Sequence, residues 1–438
     1  MNYCRARRHR VHSTPYADLR GATAPNREMR PVDANSRWLV VLAAFAGVMA
    51  GFGSLFVFTF GVFLKPVGAE FGWNREAVSR GFGFAALAIA VASPKLGQLL
   101  DRFSPRKIII PCFAIYGVAV ASLALLTPHI AHFYATLLVV GLVGNGTAQM
   151  GYSRAISTWF DRRRGLALAL VMAGTGAGSI ILPALAQWLI DSHGWRAAYM
   201  TLGLTALVCG IPLTLLFVRE RPGSRTPAGS PAPSSGSSTS EGLRSRAFWT
   251  LVTVLFLTSV TANGAITHLS ALLTDRGISA RDAALTLSVL GAASLTGRLV
   301  TGLLLDRFFG PVVSFFLLAG TASGIALLAS ANTMAAALAA VVLIGLGLGG
   351  EADVTPYLLT RYFGLRSFST LYGLTWTAYA IAGAIGPVVM GRAFDLTRSY
   401  TSFLFILAGT TAVAAVLTLT MPRYKHAPVT EGELAPAI

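Results

Sequence analysis

Charge is scarce in this chain. Lys, Arg, Asp and Glu make up 12% of its 438 residues, against roughly 25% in an ordinary soluble domain. With 54% hydrophobic residues and a mean hydropathy of +0.62, the chain belongs in a bilayer rather than in water. Cysteine is scarcer still. Cys4, Cys112 and Cys209 are odd in number and two of them lie inside apolar segments, so no disulfide framework is expected. HExxH, CxxC, P-loop and GxSxG motifs are missing and the histidines are scattered, which leaves no catalytic constellation and no metal site. The sequence therefore predicts neither an enzyme nor a cofactor. The net charge of +17 does not imply nucleic acid, because in a membrane protein Lys and Arg collect in cytoplasmic loops.

Long apolar runs are what the sequence does have. They cover 38–64, 77–100, 108–127, 132–156, 165–190, 195–218, 247–272, 282–304, 311–331, 334–358, 367–391 and 399–421. Each is long enough to cross a hydrocarbon core of about 30 Å as a helix. A basic tail (1–37) without apolar period precedes them and is expected to be disordered, with Met29 an alternative start. It does not read as a cleavable signal, because the first apolar run is too long for an h-region and no small-residue cleavage site follows it. A Gly/Ser/Pro/Arg segment (219–246) divides the runs into two groups of six and reads as a flexible linker; 422–438 is a short tail. With both termini and the linker cytoplasmic, 24 of the 35 Lys and Arg fall on that side and 8 on the other, leaving Lys95, Arg154 and Arg298 within runs. Asn74 and the pair Ser279 and Asp282 look like helix starts on the outer side.

The two groups repeat one another. Gly97, Asp101, Arg102 and Phe103 recur as Gly302, Asp306, Arg307 and Phe308; Gly144 and Gly146 recur as Gly347 and Gly349. Trp159-Phe160 recurs as Tyr362-Phe363, and Pro183 and Asp191 as Pro387 and Asp395, all at offsets of 203 to 205. The expected fold is an all-α membrane protein of twelve transmembrane helices in two pseudo-symmetric six-helix bundles, 38–218 and 247–421, in one monomer. Parallel repeats about a central site are a transporter plan.

Few polar residues interrupt the runs. Arg298 lies inside the eighth, where a charge costs about 2.5–3.5 kcal/mol on insertion scales and usually faces a polar cavity. It either anchors an anion with its planar fork or snorkels to the interface. Glu351 and Asp353 are the acids inside a run. Two residues apart on a helix, they point about 200° away from one another, so they do not share one role. Either is a candidate to carry a proton, or a structural partner of Arg298 or Arg154. Arg154 sits low in the fourth run, where interfacial snorkelling is the competing role. Asn145, Tyr152 and Tyr379 are further cavity candidates, with packing as the alternative.

The segment from Gly97 through Asp101, Arg102 and Phe103 to Arg106 and Lys107 resembles the loop 2–3 signature of the major facilitator superfamily, and Gly302 to Arg307 resembles its weaker loop 8–9 echo. The resemblance implies that Gly97, Asp101, Arg102, Arg106, Asp306 and Arg307 gate the cytoplasmic side. The stretches Tyr152 to Ala167, Leu182 to Leu189 and His268 to Gly277 resemble monocarboxylate-porter-like members. In that branch a span-8 arginine binds the substrate carboxylate, and Arg298 occupies its place. The chain departs from the branch at Ser294, where many members have an acid, and at Phe58, where some carry a lysine. It also lacks the span-11 lysine of the related oxalate–formate exchangers.

These readings imply a proton-coupled carrier of a small organic acid, a monocarboxylate, with protons and the lipid bilayer as its partners and no nucleic acid, embedded in the cytoplasmic membrane and working by alternating access. An exporter of a drug-like metabolite is the alternative, weakened because span 5 lacks the Gly-Pro signature of drug antiporters and span 1 carries no acid. A non-transporting sensor would need a soluble output domain, and no segment outside the runs has the length or apolarity to form one.

Overall fold

The computed structural model describes residues 34–148, 151–152, 155–156, 159–160, 164–218, 237–364 and 367–424. Thirteen α-helices are found among them: α1 (Ala34–Met49), α2 (Phe60–Phe71), α3 (Arg75–Arg102), α4 (Pro105–Ser122), α5 (Ile130–Thr147), α6 (Arg164–Phe217), α7 (Thr239–Arg244), α8 (Arg246–Asp275), α9 (Ala280–Arg307), α10 (Gly310–Ser330), α11 (Met334–Phe363), α12 (Phe368–Thr397) and α13 (Thr401–Leu419). Eleven stretches among the described residues are long and apolar enough to cross a bilayer. One of these, within α6, breaks at Gly194, whose φ of 83° lies where side chains other than glycine are strained. The break makes α6 two spans, as the sequence divided them.

The caps read from sequence form. Asn74 accepts a hydrogen bond from the Ala77 amide, and Ser279 from that of Asp282. Two spans read as continuous are broken. Span 1 stops at Met49, passes through extended Gly51 and a π-helical turn (Phe52–Val57), and resumes as α2. Span 4 stops at Thr147, with Ala148 extended. The two breaks face one another: the Phe52 amide donates to Thr147 Oγ1 at 3.0 Å. A Cβ at Gly51 would stand 2.3 Å from the Thr147 carbonyl oxygen, so only glycine lets the strands of backbone approach so closely. The linker also differs from the sequence reading. Its last residues form α7, closed by a capping box between Ser238 and Glu241 and docked against Leu371 of α12.

Each group of six runs packs around its own apolar core. One is built on Phe63, Phe113, Phe133 and Tyr152, the other on Leu287, Ile325, Val341 and Leu404. The halves meet along three seams, α3 on α12, α6 on α9, and α2 on α8. Phe58, beside the π turn, packs against the second core from the first half.

Candidate functional site

Spacing on α11 and α12 builds a cavity in the second half. Leu348, Glu351 and Thr355 share one face of α11; Tyr372, Thr375, Trp376 and Tyr379 share one face of α12. With Leu255 of α8 they enclose about 70 Å³. The Glu351 carboxylate accepts a hydrogen bond from the Thr258 hydroxyl of α8. Tyr379 is hydrogen-bonded to Asn263, and Asn263 Nδ2 donates to the Ser259 carbonyl oxygen at 3.0 Å. Ser259 Oγ donates in turn to the Tyr379 carbonyl at 2.9 Å. Tyr379, Trp376 and Tyr372 touch edge to face, with centroids 5.1 and 6.2 Å apart. Glu351 also lines a smaller cavity of about 30 Å³ with Val254, Ser314 and Thr418. The structure thus joins Glu351 and Tyr379, and adds Thr258, Asn263 and Trp376. None of these three carries a signal in the sequence beyond being polar or aromatic in an apolar run.

Arg298 is half-buried on α9. Gly291 and Leu295, on one side of it, meet Ser179 and Gly176 of α6; Ser294 meets Gly349 of α11. A Cβ at Gly349 would lie 1.8 Å from the Ser294 carbonyl oxygen and 2.9 Å from the Arg298 amide nitrogen. Arg298 therefore stands where the two halves adjoin, at the crossing with the helix that carries Glu351, although it does not line the 70 Å³ cavity.

The other described candidates lie elsewhere. Tyr152 is wholly buried in the core of its own bundle, its hydroxyl 3.0 Å from Thr214 Oγ1, which places it in packing rather than on the cavity. Asn145 Nδ2 donates to Ser93 Oγ, joining α5 to α3. Arg106 Nε donates to the Thr214 carbonyl at 3.3 Å, and Arg307 is exposed at the end of α9. Arg154 and the side chains of Gly97, Asp101, Arg102, Asp306 and Asp353 lie outside the described residues.

A polar junction that the sequence did not single out as a site ties the halves together at the end opposite the α3–α4 turn. Asp275 accepts from Arg75 Nη1 and Nη2 at 2.5 and 2.9 Å and from Lys65 Nζ at 2.6 Å. The Asp395 carboxylate accepts from the Arg75 and Glu76 amides at 3.2 and 2.8 Å, satisfying the start of α3 from the other half. Arg75 also donates to the Tyr400 hydroxyl and lies 3.6 Å over the Phe394 ring. His268 is fully buried beside them. Its Nε2 is 2.9 Å from the Pro387 carbonyl, which only accepts, so that nitrogen carries the proton and Nδ1 accepts from Tyr400. In the sequence Lys65 and Arg75 stand only among the outer-side charges and Asp275 only within the porter-like stretch His268 to Gly277, because pairing across halves leaves no trace in spacing.

A family model described as Major Facilitator Superfamily matches residues 43–387. The chain belongs to the major facilitator superfamily. It is a multi-pass secondary transporter of a small molecule, not an enzyme. Among similar proteins, monocarboxylate transporter 13 of Rattus norvegicus is 30% identical over 413 residues, covering 90% of this chain and 91% of that one. Monocarboxylate transporter 11 of Homo sapiens is 28% identical over 430 residues, covering 92% and 85%. The structure of a bacterial homolog of the human lysosomal transporter Spinster aligns with a TM-score of 0.65 at 17% identity, covering 88% of this chain and 95% of that one. At that identity the match shows the fold alone: this superfamily member shares the arrangement of its helices with a solved transporter.

Proposed function

We propose that this transporter carries a monocarboxylate together with a proton, by alternating access, across the cytoplasmic membrane with both termini on the cytoplasmic side. The observation that carries the reading is Glu351. It is an acid inside a membrane span, on the wall of a cavity, and its carboxylate partner among the described residues is a neutral hydroxyl. A carboxylate in such a setting is costly to keep charged and readily takes a proton. Arg298 at the adjoining seam supplies the bidentate cation that a substrate carboxylate needs. The relatives named monocarboxylate transporters support the same substrate class.

The chemistry follows from charge balance. An anion seated against Arg298 is compensated while bound. Moving it inward against a negative-inside potential costs about 2.3 kcal/mol per charge per 100 mV. One accompanying proton on Glu351 removes that cost, and its release on the cytoplasmic side resets the carrier. Asp353 is the alternative carrier on the same helix. Arg154 is a reserve cation, and Gly97, Asp101, Arg102, Arg106, Asp306 and Arg307 gate the cytoplasmic side.

Counterflow in proteoliposomes tests the reading. Vesicles preloaded with unlabelled acetate, pyruvate or benzoate should draw in the labelled acid, and monocarboxylates should compete better than dicarboxylates. Dicarboxylates outcompeting every monocarboxylate would overturn the substrate class.

A further inference from the structure

The polar junction is more than a clasp. Its core is a carboxylate held by two cations: Asp275, from the second half, sits on the fork of Arg75 and on the ammonium of Lys65, both from the first half. The Tyr400 hydroxyl and Thr274 Oγ1 complete the surroundings, the latter accepting from Lys65 Nζ at 2.6 Å. The fork and the ammonium are the donors that recognise a free carboxylate. The cations belong to one half and the internal anion to the other. Separation of the halves at this end withdraws Asp275 and leaves both cations facing the opening.

A second observation points the same way. Ser259, Asn263, Thr267, Ser270 and Thr274 follow one another at spacings of three and four along α8, so they form one stripe on that helix. The stripe runs from the Lys65 contact at Thr274 to Asn263 and Tyr379 beside the Glu351 cavity. All but Thr274 are buried, and the Thr267 hydroxyl is buried with no hydrogen-bond partner among the described residues. The backbone of Thr267 abuts Gly61 of α2 and Thr274 meets Lys65, so the outer part of the stripe is shut against the first half, while Ser259 and Asn263 meet Tyr379 and Gly383 of α12. A polar stripe sealed in this way has a use when the seam opens.

We propose that Lys65 and Arg75 form a capture site for the substrate's carboxylate, occupied by Asp275 while this end is closed, and that the α8 stripe is the path from it to the Glu351 cavity. An incoming carboxylate competes with Asp275 and so favours the open state that admits it. The proposal rests on the monocarboxylate reading.

The test reads the seam directly. In a background with the native cysteines replaced, Ser270→Cys is labelled by a membrane-impermeant maleimide applied at the Lys65 face. Acetate and benzoate should raise the labelling rate, and Asp275→Asn should raise it by roughly tenfold without any carboxylate. In Arg75→Gln and, separately, Lys65→Gln, the response to acetate and benzoate should be lost. If Asp275→Asn raises labelling but neither anion alters it in the parent, the junction is a clasp and the capture site is wrong. If labelling stays the same in Asp275→Asn, the stripe is not the path. Absence of counterflow with any monocarboxylate would instead remove the substrate reading itself.

Discussion

Two polar regions of this transporter solve the problem of buried charge in opposite ways. At the junction, Asp275 meets Arg75 and Lys65 at 2.5 to 2.9 Å, so these three charges are paired across the seam. In the cavity, Glu351 meets the hydroxyl of Thr258. Paired charges hold their ionisation and bind the halves together, so they suit a gate. A carboxylate with a neutral partner has no such hold and changes protonation at lower cost, so it suits a carrier. Both regions draw on α8: Asp275 and His268 lie toward one end of it, Thr258 toward the other. The same helix therefore touches the proposed gate and the proposed proton site.

The comparison can be broken at several points. Arg298→Lys should have the largest effect. It keeps the charge but loses the fork, worth about 1.5–3 kcal/mol for hydrogen bonds to a charged group, so uptake should fall by roughly tenfold or more with normal expression. An unchanged apparent affinity in transport assays would remove Arg298 as the anchor. His268→Leu comes next. It strips the Tyr400 hydroxyl and the Pro387 carbonyl of their buried partner, at a cost of about 1–3 kcal/mol, and should lower the thermal midpoint in detergent. Gly51→Ala forces a Cβ into the Thr147 carbonyl; overpacking of about 1–3 kcal/mol should lower the same midpoint. Tyr152→Phe is the mildest. It removes one hydrogen bond to Thr214, worth about 1 kcal/mol, with no shift in apparent KM. A large rise in KM would return Tyr152 to the substrate path.

Hydropathy and the repeat between halves made the helices legible, because each span must satisfy its own backbone in lipid. The breaks at Gly51 and Ala148 were not legible. They depend on a contact between two spans far apart in sequence, and a glycine in an apolar run reads equally well as packing. The helix α7 was hidden by the Gly/Ser/Pro character of the linker that precedes it. Glu351 and Arg298 stood out because an ionisable residue in an apolar run is conspicuous. Their neighbours Thr258 and Asn263 did not, since hydroxyls and amides are common in membrane helices. Lys65 and Arg75 were visible only as outer-side charges and Asp275 only within the stretch His268 to Gly277, and their pairing appears when α2, α3 and α8 come together from the two halves.

The central claim is that Glu351 carries the coupled proton. Its most direct test is Glu351→Gln in proteoliposomes, with counterflow and pH-gradient-driven accumulation measured on the same vesicles. The amide keeps the shape and a hydrogen-bond acceptor for Thr258 but does not titrate, so it cannot take up and release the coupled proton. The account predicts that counterflow persists while accumulation driven by an inward proton gradient is lost. Accumulation undiminished by the substitution would contradict it.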